Sequence, residues 1–191
     1  MHKIIVSLGA VGLLLGSPVA QAHGLHGVSF MAGLAHPWLG LDHLLAMLAM
    51  GVSVASLSLR VRWISAAMLG LTLIVGVFSA GVLNLGLSME PLLAASLLVL
   101  ALLCVRQHAL ATALRLGLLA AFSFLHGGVH GLEVPTQALL LPFASGVVLA
   151  SVSLLVLGMG MGRFWLMRHP KLNTGFGGML GLAAMGFLFG A

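Results

Sequence analysis

Long apolar runs fill almost the whole chain, and they restrict its fold more than any other feature of the sequence. Asp, Glu, Lys and Arg together make up 6% of the 191 residues, whereas apolar residues make up 61%. A soluble domain with this composition would have almost no polar surface to present to water. Runs of about 20 apolar residues match the thickness of a bilayer core. The chain is therefore predicted to be an all-α polytopic membrane protein.

The first apolar run has the features of a cleavable secretory signal peptide. A basic residue near the N-terminus precedes an apolar segment, and an A-x-A cleavage pattern ends at Ala22. We predict a signal peptide over residues 1–22 and a single transmembrane domain over residues 23–191, with an uncleaved first span as the alternative. Cleavage would place His23 and His26 at the new N-terminus, either as metal-gathering residues at an entrance or as part of a polar leader.

The mature domain divides into six apolar spans. Their predicted ranges are about 37–59, 63–83, 91–105, 116–130, 137–161 and 172–191. Every basic residue of the mature domain lies in a segment that follows the first, third or fifth span. Because basic residues favour cytoplasmic loops, these loops are predicted to be cytoplasmic and both mature termini periplasmic. This topology, in a bacterial inner membrane, accounts for the net charge of +5 without a nucleic-acid partner.

Polar side chains gather at the start of the first span. His36, Asp42 and His43 are followed by Met47 and Met50 in an otherwise apolar run. A charged carboxylate in a membrane segment costs about 2.5–3.5 kcal/mol on insertion scales, so Asp42 indicates a functional site. On one straight helix, His36 and His43 would lie about 10 Å apart along the axis, too far to bind one small ion together. We therefore expect a deeper Asp–His pair that another segment completes.

A second polar motif lies in the fourth span. His126 and His130 are four residues apart and Glu133 is three residues further on, so all three side chains share one face of a helix. Two imidazoles at this spacing can bind one metal ion. The glycines of this segment, which include Gly127 and Gly131, occupy the opposite face and allow a neighbouring helix to approach closely. The alternative is that the histidines only form hydrogen bonds to buried carbonyl groups.

Together the two motifs resemble the signatures of the HupE/UreJ family of nickel permeases. The first motif has the spacing H-x5-D-H, and the second reads HG-x-x-HG-x-E from His126 to Glu133. One departure is Leu125, which separates Phe124 from the histidine where an aromatic residue is expected directly before it. The resemblance covers the whole chain, from the signal peptide through the six spans.

The predicted metal site combines both motifs. Imidazole and carboxylate ligands suit Ni²⁺, Co²⁺ or Zn²⁺, and two nearby methionines leave some room for copper. Glu90, at the outer start of the third span, is a candidate entrance residue. We predict that six residues converge between the first and fourth spans to bind the ion, with Met47 and Met50 as weaker candidates: His36, Asp42, His43, His126, His130 and Glu133.

Nickel, with cobalt as the near rival, is the substrate that the resemblance implies. It also implies uptake from the periplasm to the cytoplasm, in support of hydrogenase or urease maturation. A divalent ion that enters down a potential of about 100 mV gains about 4.6 kcal/mol, so facilitated diffusion is energetically sufficient. The sequence contains no glycine-rich loop for a nucleotide. We therefore expect a permease, not an enzyme, without nucleotide or organic cofactor.

An intramembrane metalloprotein that does not transport is the alternative class. A bis-histidine haem carrier would leave the acidic residues unexplained. A zinc hydrolase could use His126, His130 and Glu133 as ligands. Asp42 or Glu90 would then be the base.

The sixth span is rich in glycine. Its glycines form two G-x-x-x-G pairs, Gly177 with Gly181 and Gly186 with Gly190. Such pairs favour close packing of helices in membranes. They predict contact either within the bundle or with a second copy of the chain in a homo-oligomer.

Overall fold

The computed structural model describes residues 29–80, 90–106, 109–134 and 140–189, and these ranges are helical with short connections and without any strand. The predicted signal peptide lies outside the described residues, as do His23 and His26. The described ranges contain seven α-helices and one 3-10 turn at Leu166–Arg168. The helices are α1 Phe30–Leu39, α2 Leu41–Val54, α3 Leu59–Phe78, α4 Glu90–Arg106, α5 Thr112–Glu133, α6 Leu140–Phe164 and α7 Pro170–Phe189.

Four helices are long and apolar enough to cross a bilayer, which confirms the prediction of an all-α membrane protein. They are α3, α5, α7, and α6 together with the 3-10 turn that follows it. The bent pair of α1 and α2 can form a fifth crossing, as a broken span or as a re-entrant loop. The apolar part of α4, Pro91–Arg106, is shorter than the roughly 20 residues that a crossing needs. A total of six spans therefore stays a prediction.

The first predicted span is two helices, which corrects the expectation of one straight helix. α1 ends at Leu39, the backbone of Gly40 is extended with φ −80° and ψ 113°, and the two helices meet at a bend of 80°. A helical hydrogen-bond ladder cannot continue through an extended residue. His36 in the last turn of α1 therefore lies beside His43 in the first turn of α2.

α2 lies at the centre of the bundle. It packs against α4 and α6 and also contacts α5 and α7, and its last six residues are all buried. A side chain at Gly51 would collide with the backbone carbonyl of Leu155, so α2 and α6 approach backbone to backbone. Two polar residues of α2, His43 and Ser53, are thus enclosed by other helices.

The glycine face of α5 packs against α3, as predicted. Side chains at Gly127 and Gly131 would collide with the carbonyl groups of Leu73 and Val77. Small residues allow two helix backbones to come this close. Because the glycines and the histidines lie on opposite faces of α5, this contact directs the histidines away from α3 and towards α2.

One glycine of the sixth predicted span packs within the bundle. A side chain at Gly177 would collide with Val105 of α4. At Gly181, by contrast, a Cβ atom would have no described atom within 4 Å beyond its own helix. Gly190 lies outside the described residues. The homo-oligomer therefore stays a prediction.

Candidate metal centre

Three histidines converge where α1, α2 and α5 meet. His36, His43 and His130 each contribute one ring nitrogen to a group whose atoms all lie within 4.8 Å of one another. Their ring centroids are 4.5 to 5.4 Å apart. The expectation that His36 and His43 lie too far apart to share an ion is wrong, because the bend at Gly40 brings them together. We call these three residues the histidine trio.

Two of the three histidines are buried, and the third is more exposed. His43 is 5% exposed and His130 is 0% exposed, whereas 34% of the His36 side chain is accessible. His36 therefore forms the accessible edge of the group, and the other two imidazoles lie deeper. An ion that approaches the trio from outside would therefore meet His36 first.

A carboxylate accompanies each buried imidazole of the trio. Asp42 Oδ2 lies 3.1 Å from His43 Nδ1, and Glu133 Oε2 lies 3.3 Å from His130 Nδ1. Glu133 Oε2 also lies 3.6 Å from His36 Nε2. A carboxylate that accepts a hydrogen bond from Nδ1–H fixes the imidazole tautomer and leaves Nε2 free as a metal ligand.

The Nε2 atoms of His43 and His130 are the unusual feature of the site. Both atoms are buried, and neither has a hydrogen-bond partner within the described part of the chain. Buried polar atoms in folded proteins nearly always have a partner, and one without a partner is costly. Two such nitrogens in one cluster, with two carboxylates beside them, suit a divalent cation in both charge and donor type.

His126 lies beside the trio but has a different environment. It is 1% exposed, its ring centroid lies 5.2 Å from that of His43, and its Nδ1–H donates to the Phe122 carbonyl at 2.9 Å. The alternative, in which the histidines only form hydrogen bonds to buried carbonyl groups, therefore holds for Nδ1 of His126. Its position, one turn before His130 on α5, places it next to the trio on the side away from His36.

Two of the weaker candidates lie deeper in the bundle. Met47 and Met50 are both fully buried, and Met50 Sδ lies 3.8 Å from the Ser123 hydroxyl. They follow His43 by one and two helical turns, so they continue its face of α2. Glu90 is the first residue of α4, but its side chain is outside the described part of the structure.

Phe143 is a residue of the site that the sequence motifs do not include. Its ring centroid lies 6.1 Å from that of His36 and 6.4 Å from that of His130. Phe143 comes from α6, and its backbone is also the surface against which Gly33 of α1 packs. Phe124, the aromatic residue of the second motif, instead places its carbonyl against Gly76 of α3. Phe143 can be recognised as a residue of the site only from the packing of α6 against α1.

Comparison with known proteins identifies the family. The model of the HupE / UreJ protein family matches residues 11–189 of the chain. The chain belongs to the HupE/UreJ family. One HupE/UreJ relative, "Protein HupE" from Rhizobium leguminosarum bv. viciae, is 33% identical over 164 residues, which cover 83% of this chain and 82% of that protein. No solved structure matches the chain.

Proposed function

We propose that this protein is a nickel permease of the bacterial inner membrane, which binds Ni²⁺ at the histidine trio and passes it from the periplasm to the cytoplasm. The observation that carries the proposal is the pair of buried, unpartnered Nε2 atoms on His43 and His130 within the described structure. Membership of the HupE/UreJ family, whose members are generally associated with nickel or cobalt transport, supports transport over catalysis. The imported ion would then supply the maturation of hydrogenase or urease.

The two carboxylates of the site have an orienting role in this proposal. Asp42 and Glu133 each lie close to the Nδ1 atom of a neighbouring imidazole. In metal sites such a partner raises the basicity of the imidazole and fixes its orientation. Together they also supply two negative charges, which offset the charge of a divalent ion. Glu133 is the carboxylate with a second role, because it lies between His130 and His36.

The donor set favours nickel or cobalt as the cargo, with zinc as a weaker competitor. Three imidazole nitrogens with oxygen atoms nearby suit all three ions. Zinc prefers a closed tetrahedral site with four ligands, whereas carboxylate and water oxygens around the trio can complete a larger coordination shell. A porphyrin is disfavoured, because the third imidazole, within 4.8 Å of the other two, occupies the space that its ring would need.

The direction of transport rests on the positions of the basic residues. Arg60, Arg106 and Arg163 lie at helix ends and are exposed, and basic residues favour the cytoplasmic side. We therefore expect an impermeant thiol reagent to modify Ser88→Cys from outside and to spare Val61→Cys, each in a Cys104→Ala background. The reverse pattern would contradict the proposed topology.

Uptake of radioactive Ni²⁺ by cells that express the protein tests the function. We expect Co²⁺ to compete more strongly than Zn²⁺, and His130→Ala to abolish uptake without loss of protein from the membrane. His169→Ala is the matched control, because His169 is exposed and lies before α7, outside the site. Uptake that survives in the His130→Ala variant, or fails equally in the control, would contradict the proposal.

A further inference from the structure

A stripe of buried side chains runs along α5 from the histidine trio to the start of the helix. Arg115, Leu119, Ser123, His126 and His130 are all buried and follow one another at intervals of three or four residues, so they share one face of the helix. On α2, His43, Met47, Met50 and Ser53 form the corresponding buried stripe. We call these two stripes together the α2–α5 seam.

Contacts at three depths join the two sides of this seam. At the top, the rings of His43 and His130 lie 4.5 Å apart. In the middle, the Ser123 hydroxyl oxygen lies 3.8 Å from Met50 Sδ, while its hydrogen is donated to the Leu119 carbonyl at 2.7 Å. Ser123 and Met50 therefore place an oxygen atom and a sulfur atom next to each other in the seam.

Arg115 joins the two helices at the third level. Its side chain donates to the Ser53 carbonyl at 2.9 Å and to the Ser56 hydroxyl at 2.7 Å. Arg115 is only 5% exposed, and none of the ion pairs in the described part of the chain includes it. Because arginine stays protonated in proteins, a positive charge that has no counter-ion among the described residues stands at this end of the seam.

The two ends of the seam have opposite charge character and lie far apart. His130 and Arg115 are separated by fifteen residues of one helix, which corresponds to about 22 Å and to most of a bilayer core. The trio with Asp42 and Glu133 attracts a cation. A guanidinium repels one, and soft or borderline donors such as thioether and imidazole lie between the two ends.

We propose that the α2–α5 seam is the route of the ion beyond the trio, and that Arg115 closes the far end of this route. The proposal rests on the proposed function, since it describes where the bound cation goes next. Release requires the guanidinium to leave Ser53 and Ser56, both near the end of α2. A purely structural alternative is that Arg115 only caps the last carbonyl groups of α2.

Thiol labelling of Ser123→Cys in a Cys104→Ala background separates these roles. The protein is reconstituted in vesicles, and a charged, membrane-impermeant methanethiosulfonate reagent is added to either side. We expect Ser56→Ala, which removes one hydrogen bond to the guanidinium, to speed labelling of position 123 from the cytoplasmic side by about tenfold. Arg115→Met removes both hydrogen bonds and should speed this labelling at least as much. Labelling from the opposite side should not change.

Ser151→Cys in the same background is the matched control, because Ser151 is fully buried in α6 and lies outside the seam. Equal labelling of position 123 with and without Arg115 would overturn the proposed gate. Faster labelling of positions 123 and 151 together would also overturn it, because this result indicates a general loosening of the protein. The labelling needs no metal. If only the nickel proposal is wrong, Ni²⁺ uptake is absent while the labelling pattern is as expected. If only the gate is wrong, Ni²⁺ uptake is present while the replacement of Arg115 does not change labelling as expected.

Discussion

The two motifs reach the same centre by different structural means. The second motif lies on the unbroken helix α5, where its spacing alone places His126, His130 and Glu133 on one face. The first motif spans the bend at Gly40, and its two histidines come from different helices. Residue spacing in the sequence therefore describes a site only where the helix is continuous. Across a break, residues seven positions apart can become neighbours.

The largest expected effect tests which histidines form the centre. We expect His36→Ala to weaken Ni²⁺ binding to purified protein by at least about 100-fold, because even the loss of an outer partner of a ligand costs about 10- to 100-fold. His126→Ala should weaken it by less than about tenfold, since His126 lies beside His43 but is not one of the three residues whose ring nitrogens converge. Equilibrium dialysis measures both variants. If His126→Ala has the larger effect, helical spacing describes the site better than the trio does.

The next effect compares the carboxylates of the two motifs. We expect Asp42→Asn and Glu133→Gln each to reduce Ni²⁺ affinity by about 10- to 100-fold, as removal of an orienting carboxylate does in other metal sites. Both replacements keep the side-chain size, so the amount of protein in the membrane should not change. Glu133→Gln should have the larger effect, because Glu133 lies near two histidines of the trio. Unchanged affinity in both variants would contradict the orienting role.

A smaller effect tests the glycine face that directs α5. We expect Gly127→Ala to destabilise the folded protein by about 1–3 kcal/mol, because the new methyl group would collide with the Leu73 carbonyl. Gly117→Ala is the control on the same helix, where a Cβ atom would have no described atom within 4 Å outside the helix. Alanine there should leave stability unchanged or raise it by up to about 1 kcal/mol. Thermal unfolding in detergent measures both, and equal stabilities would contradict the close α3–α5 contact.

The smallest effect concerns the bend itself. A Cβ atom at Gly40 would lie 3.1 Å from Asp42 Oδ1 and 3.3 Å from His43 Nδ1. Both distances are tight but can be relieved by small side-chain shifts. We therefore expect Gly40→Ala to weaken Ni²⁺ binding by less than about tenfold, below the cost of losing an outer partner altogether. Thermal stability should change little. A loss as large as that of His36→Ala would show that glycine is needed for the bend.

Several features follow from the sequence because they depend on local chemistry. Apolar runs with few charges can be stable only in a bilayer or a protein core, so the membrane class needs no tertiary information. Periodicity places the histidines and the glycines of α5 on opposite faces, and the structure confirms the contact of Gly127 with α3. The two motifs also lead to the HupE/UreJ family, which the comparisons confirm.

Tertiary structure decided the composition of the centre. Pairing of His36 with His43 depends on an extended backbone at Gly40 and on the packing of α1 against α6, and neither follows from the pattern of the first span. The contact of Arg115 with Ser53 joins residues 62 positions apart in the chain. The physical reason is the distance along the chain over which each kind of interaction acts. Helical periodicity relates residues within a few turns, whereas the meeting of separate helices depends on which backbones can approach each other across the whole bundle.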